Sequence, residues 1–311
     1  MKRYILIITA VMLLPVYSCS AQTEDCIIAK WEKGYGADFT MEGTTLEVSE
    51  AGDTTVTNTG SYDFSVMVLD ADKSGYKLRL EYPTSLYTSN MEIDLSDIGK
   101  TIPIDFETDE FGVFERVTNT DFLINLSERL IEAMVKLPQF SDMDESDLHS
   151  MLNSIMSPER MVQSFSQDIN VLLWPYGVAA EEGETLSFES SVNVGSTEIP
   201  TTSYVLLEPF KEGDMFKVIK MVTEYDKNSM GPFLTQFFGQ MMSGVEDKGK
   251  YNQEEFENFM KNAQMSILDS SVCVLDPETT FPFMASYERH VEMTTDGKTS
   301  SKIQRRELMI H

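Results

Sequence analysis

The stretch Asp70-Ala71-Asp72-Lys73-Ser74-Gly75, with Glu81 at the twelfth position, reproduces much of the spacing of an EF-hand calcium loop. Oxygen side chains stand at positions one, three and five, and the turning glycine stands at six. The flanks argue against that chemistry. Tyr62, Phe64, Val66 and Val68 alternate on one side and Tyr76, Leu78, Leu80 and Tyr82 on the other, which is the period of extended strands and not of the helices that hold such a loop. The stretch therefore reads as a hairpin turn, with Glu81 carried away from Asp70. A second acidic group, Asp142, Asp144, Glu145 and Asp147, lacks the glycine and stands where acids favour a helix amino terminus.

Other chemistry leaves no local signature. The three histidines, His149, His290 and His311, are scattered, and neither H-E-x-x-H nor paired C-x-x-C occurs, so no metal site and no cofactor are expected. A G-x-S-x-G elbow, a P-loop and a dinucleotide fingerprint are absent as well. No catalytic residue can be named, although a site assembled from distant residues needs no local motif. Methionine is the one compositional oddity, with 20 in the chain. Many fall in helical stretches rich in Phe and Leu, where adaptable side chains against a sheet would line a cavity for a hydrophobic ligand. Met134, Met151, Phe165, Phe237 and Met241 sit on the inferred inner stripes; the alternative is an ordinary core.

The cysteines carry two further expectations. Lys2 and Arg3 precede an apolar run from Tyr4 to Leu14, the length of a signal-peptide core and too short to span a bilayer. Residues 1–21 read as a signal peptide for export, to the periplasm or the outer membrane. Val16-Tyr17-Ser18-Cys19 approximates a lipobox, which would place cleavage before Cys19 and a lipid anchor on it. Cys19-Ser20-Ala21 before Gln22 equally fits ordinary cleavage, and any membrane attachment would be through acylated Cys19. Cys26 and Cys273 then remain. An oxidising compartment would let them pair, a closure worth roughly 5 kcal/mol for so long a loop. The alternative is Cys273, within VCVL, as a small buried hydrophobe.

Around these residues the elements are legible in outline. Phe122, Leu126, Leu130, Met134 and Leu137 recur at helical spacing, as do Leu148, Met151, Leu152 and Ile155, and then Met161, Val162, Phe165, Ile169 and Leu172. Pro138 closes the first of these helices, Ser157-Pro158 opens the third and Pro175 ends it. This helical insert, at about 118–174, divides two halves of strand-like alternation. Before it, residues 22–60 are rich in Gly and Thr and suggest short strands with tight turns; FETDEFGVFERVTN then leads into the helices with Gly112 at a turn. After it come TLSFESSVNV, a hairpin of SYVLLEPF with MFKVIKMVTEY, two helices over GPFLTQFFGQMM and NQEEFENFMKNAQM, and three closing strands.

The charge bounds the partners. With 24 basic and 51 acidic residues the chain carries −27, and loss of Lys2 and Arg3 with the first 21 residues would make it −29. Such a surface repels nucleic acid and anionic lipid. The hydrophobic content, 41%, is ample for a core, and residues 22–311 are expected to form a single α+β domain. In it, curved antiparallel sheet from both halves would pack around the central helical segment.

Several short pieces, YSCSAQ at the signal end, GYKLRLEY, FGVFERVTN, EEGETLSF, DPETTFP and TTDGKTSSKI, resemble exported β-rich proteins and lipoproteins of Gram-negative anaerobes that form a domain of unknown function. That resemblance implies no activity and transfers no functional residue. The arrangement is also similar, at the level of fold, to lipoprotein carriers, whose curved antiparallel sheet holds helices against an apolar concavity. The functional expectation is a non-catalytic cell-envelope protein binding an apolar ligand or lipid between sheet and helices. The alternatives are a module for binding another envelope protein, and an enzyme whose site no local motif reveals.

Overall fold

The computed structural model describes residues 26–88, 99–141, 144–194, 197–211, 213–231, 234, 263–295 and 297–311. The first half of the chain supplies β1 (Gly36–Val48), β2 (Thr54–Asp72), β3 (Gly75–Pro83), the single turn α1 (Ser85–Thr88), β4 (Thr101–Thr108) and β5 (Phe114–Val117). Helices α2 (Thr120–Val135), α3 (Glu145–Met156) and α4 (Pro158–Leu173) follow. The second half supplies β6 (Thr185–Val194), β7 (Thr197–Leu207), β8 (Lys217–Tyr225), β9 (Gln264–Leu275), β10 (Pro282–Thr295) and β11 (Lys298–Ile310).

Among the described residues these eleven strands form one sheet in the order β5-β4-β3-β2-β1-β11-β10-β9-β8-β7-β6, and each neighbouring pair is antiparallel. The chain starts at the middle, walks outward to β5, crosses to the far edge and walks back, so that its first and last strands close the centre. Phe39 lies opposite Ile310 and Met41 opposite Leu308.

The expected α+β domain built around a central helical segment is therefore corrected. The sheet is the organising element and the helices are the crossover between its two edge strands. The error has a physical source: β1 and β11 are separated by nearly the whole chain, and pairing at that distance leaves no local signal. Residues 22–60, expected as short strands with tight turns, instead hold the long β1 and the first part of the long β2 about the turn at Gly52, which has φ +84°.

The helices and hairpins follow from their sequences. In β3 the burial alternates so that Leu78, Leu80 and Tyr82 face the core, as period two requires. Asp72 caps the β2–β3 turn, accepting from Ser74 N at 2.7 Å and from Ser74 Oγ at 2.5 Å. Asp70 pairs with Lys33 at 3.3 Å and Glu81 lies opposite Ser65, so the calcium-loop spacing is spent on a hairpin. Asp144 accepts from Ser146 N and Asp147 N at the start of α3, and Ser157 accepts from Arg160 N at the start of α4, with Pro158 in the first turn.

Leu123, Leu126 and Leu130 of α2 and Phe165, Ile169 and Leu172 of α4 join the apolar face of the sheet in one core. The Phe165 ring lies 5.2 Å from that of Tyr82. Residues 26–35 strap this core, through Ile27 N to Val178 O at 3.0 Å and Ala29 N to Phe111 O at 2.8 Å. Gly112 is required there: its φ is +95°, and a Cβ would stand 2.7 Å from that of Ala29.

Cys273 is a free thiol with no exposed surface. The expected bridge from Cys26 to Cys273 is thus absent. Cys273 lies on β9 between Ile219 and Ala285, within the apolar core, and burial pushes its thiol well above the ordinary range.

Candidate ligand-binding cleft

At the centre of the sheet, on the face that carries the helices, one row of residues runs Gly60, Gly43, Arg306, Tyr287 across β2, β1, β11 and β10. Two glycines side by side leave the floor bare. A Cβ added at Gly60 would meet nothing within 4 Å, and one at Gly43 only the Gly60 carbonyl oxygen at 3.9 Å. Neither has a positive φ, so their backbones do not need glycine, and glycine within a strand weakens it. What the absent side chains leave is a cleft of about 290 Å3. The flanking rows supply Met41 and Tyr62 on one side and Asn58, Thr45 and Gln304 on the other. Gln167 of α4 forms part of the wall.

Asp168, beside Gln167, holds the wall in place. Its buried carboxylate accepts from Tyr62 Oη at 2.7 Å, from Tyr82 Oη at 3.0 Å and from Arg306 Nη1 at 2.8 Å. Arg306 Nη2 also donates to Gln167 Oε1 at 2.7 Å. Burial raises the Asp168 carboxyl above the usual range, against the pull of Arg306 and the two tyrosine hydroxyls. The cluster pins α4 to β2, β3 and β11 at one point.

A second buried charge pair lies alongside. Arg289 and Asp269 are cross-strand partners on β10 and β9, joined by Nε to Oδ1 at 2.8 Å and Nη2 to Oδ2 at 2.7 Å. The Tyr225 hydroxyl donates to Asp269 Oδ2 at 2.8 Å and accepts from Arg289 Nη2 at 2.8 Å. Burial works against the guanidinium charge, but the hydrogen bonds and charge of Asp269 outweigh it, so Arg289 stays firmly charged. Tyr287 stands between the two arginines, its ring 5.9 Å from the Arg289 guanidinium. It is almost fully buried, and its hydroxyl is shielded from solvent within reach of the Asp269 carboxylate. Burial also keeps that hydroxyl protonated by pushing it well above its ordinary value.

Chemically, then, the cleft offers the half-buried Tyr62 ring beside amides, hydroxyls and a guanidinium already engaged by a carboxylate. Among the described residues no group of His, Cys, Asp and Glu side chains could hold a metal ion.

Of the residues expected to line an apolar cavity, the described ones fall elsewhere. Phe165 is buried in the filled interface between α4 and the sheet. Met134 is half-buried where α2 meets α3 and Met151 is 36% exposed. Phe237 and Met241 lie outside the described residues, as do Cys19 and most of the two helices expected between β8 and β9. The cleft residues were passed over in the sequence. Their traces were Gly43 and Gly60 inside alternating runs, and Gln167-Asp168 in the middle of an apolar helix.

No family profile and no curated protein matches the chain, so the resemblance to exported proteins of Gram-negative anaerobes has no support from these comparisons. Among solved structures the chain is similar to one described as "Lipid-protein interactions in lipovitellin", at 10% identity and a TM-score of 0.37. The likeness covers 90% of this chain and 25% of that one. The chain thus spans about a quarter of that structure's length, and a likeness at this score carries no argument about function.

Proposed function

We propose that this protein is a non-catalytic binding protein of the cell envelope that holds one amphipathic ligand in the central cleft. Its apolar part would rest on the half-buried Tyr62 ring, and its polar part would face Gln167, Gln304 and Arg306. The observation that carries this reading is the bare floor at Gly43 and Gly60, where the filled part of the face ends. The interface between α2, α4 and the sheet is occupied by side chains, which moves the ligand from there to the cleft. Export is supported by Lys2, Arg3 and the apolar run Tyr4 to Leu14.

Gly60→Val tests the reading, because the added side chain fits the strand and fills the cleft. Native mass spectrometry of envelope-purified protein should find a bound small molecule in the wild type and lose it in the variant, with the thermal transition retained. Equal recovery from both proteins would remove the cleft from the account. The second reading, a module for another envelope protein, is favoured by the β7–β8 loop, where Met215 is 76% exposed and the Phe216 and Phe283 rings lie 4.6 Å apart. A co-purifying protein lost in Met215→Ser, with no small molecule in the wild type, would establish it instead.

A further inference from the structure

We propose that the polar part of the ligand is a neutral sugar ring, a conclusion that rests on the cleft being the binding site. Three properties of the lining select this chemistry. The first is spare neutral hydrogen-bonding capacity. The side-chain amides of Asn58 and Gln304 line the cleft and make no hydrogen bond to described residues. Each amide offers donors and an acceptor side by side, which matches the paired donor and acceptor character of vicinal hydroxyls.

The second property is compensated charge. Arg306 is held by Asp168 and Gln167, and the adjacent Arg305 is paired with Glu288 through Nε at 2.8 Å. A phosphate or carboxylate head would compete with Asp168 for Arg306 while entering the field of a chain carrying −27. A cationic head would find Asp168 already satisfied by three donors. A neutral head meets neither obstacle.

The third property is shape. The half-buried Tyr62 presents its ring to one side, which suits the C–H face of a pyranose. The volume of about 290 Å3 stands at the lower end of ligand pockets, about 300–1,000 Å3. That accommodates a ring and the start of a chain, not a pair of folded acyl tails.

Saturation-transfer NMR on the purified full chain provides the test. The probes are octyl glycosides of glucose, galactose, N-acetylglucosamine and fucose below their micellar concentrations, the matching free sugars, octyl phosphate and octanoate. The expected result is transfer to the ring protons of at least one glycoside, weakened about tenfold by Gln304→Ala and abolished by Gly60→Val. Transfer to the matching free sugar as well identifies a glycan as the source, and transfer to the glycoside alone identifies a glycolipid head. Octyl phosphate or octanoate bound in the wild type and lost in Gly60→Val, with no glycoside bound, overturns the sugar and leaves the cleft intact. Binding of no probe, or binding unchanged by Gly60→Val, overturns both.

Discussion

Asp168 sits on the same stripe of α4 as Phe165, Ile169 and Leu172, and folding carries its carboxyl out of water to meet Tyr62, Tyr82 and Arg306. An acid at that place in the helical period was readable, but the apolar residues around it satisfied the pattern and nothing local pointed to its partners. Gly43 and Gly60 were hidden differently. Glycine among threonines signals turns when read locally, and only the register of β1 on β2 sets the two opposite each other.

The raised Asp168 carboxyl makes a prediction about pH. A group whose folded value lies above its unfolded value, here about 3.8, binds its proton more tightly in the folded chain. The stability it contributes is present below that value and is lost as pH climbs through the raised one. Asp168→Asn removes this titration. Carboxyls held low by turn hydrogen bonds, such as Asp72, Asp226 and Asp276, remain in both proteins and cancel. Matched thermal melts should therefore show the wild type losing ground to the variant as pH rises from about 3 to neutrality. A difference that moves the other way would mean that Arg306 outweighs burial.

At the scale of elements, helix stripes, caps and hairpin alternation were legible because each is set by neighbours within a few residues. Asp144, Ser157 and the β2–β3 turn stand where local chemistry puts them. What a stripe faces was not legible. Phe165 and Met151 both lie on apolar helical stripes, yet α4 lies in the main core while α3 packs against α2, leaving Met151 partly in water. The two side chains should therefore respond differently to truncation. Phe165→Ala should cost about 3–5 kcal/mol, the lost transfer energy plus a cavity beside Tyr82. Met151→Ala should lie within about 0.5 kcal/mol of the wild type. Urea unfolding with unchanged slope checks both, and a large loss at Met151 would mean that α3 is buried against something further.

The whole molecule depends on a seam that no local reading could find. The walk outward from β1 and the walk inward to β11 meet at the centre of the sheet, with His311 N bonded to Asp38 O at 3.0 Å. β11 therefore joins the two halves and also delivers Leu308 to the core and Arg306 to Asp168. Removing residues 298–311 would uncover the backbone of both β1 and β10 and take Arg306 away from the buried Asp168 carboxyl. Marginal stabilities of about 5–15 kcal/mol do not survive that together with the lost strand pairing. The shortened chain should show no cooperative thermal transition and should aggregate, whereas removal of His311 alone should leave the transition near its original temperature. A shortened chain that still melts cooperatively would show that β1–β5 with its helices folds without the second half, and the chain would then be two domains sharing a sheet and not one.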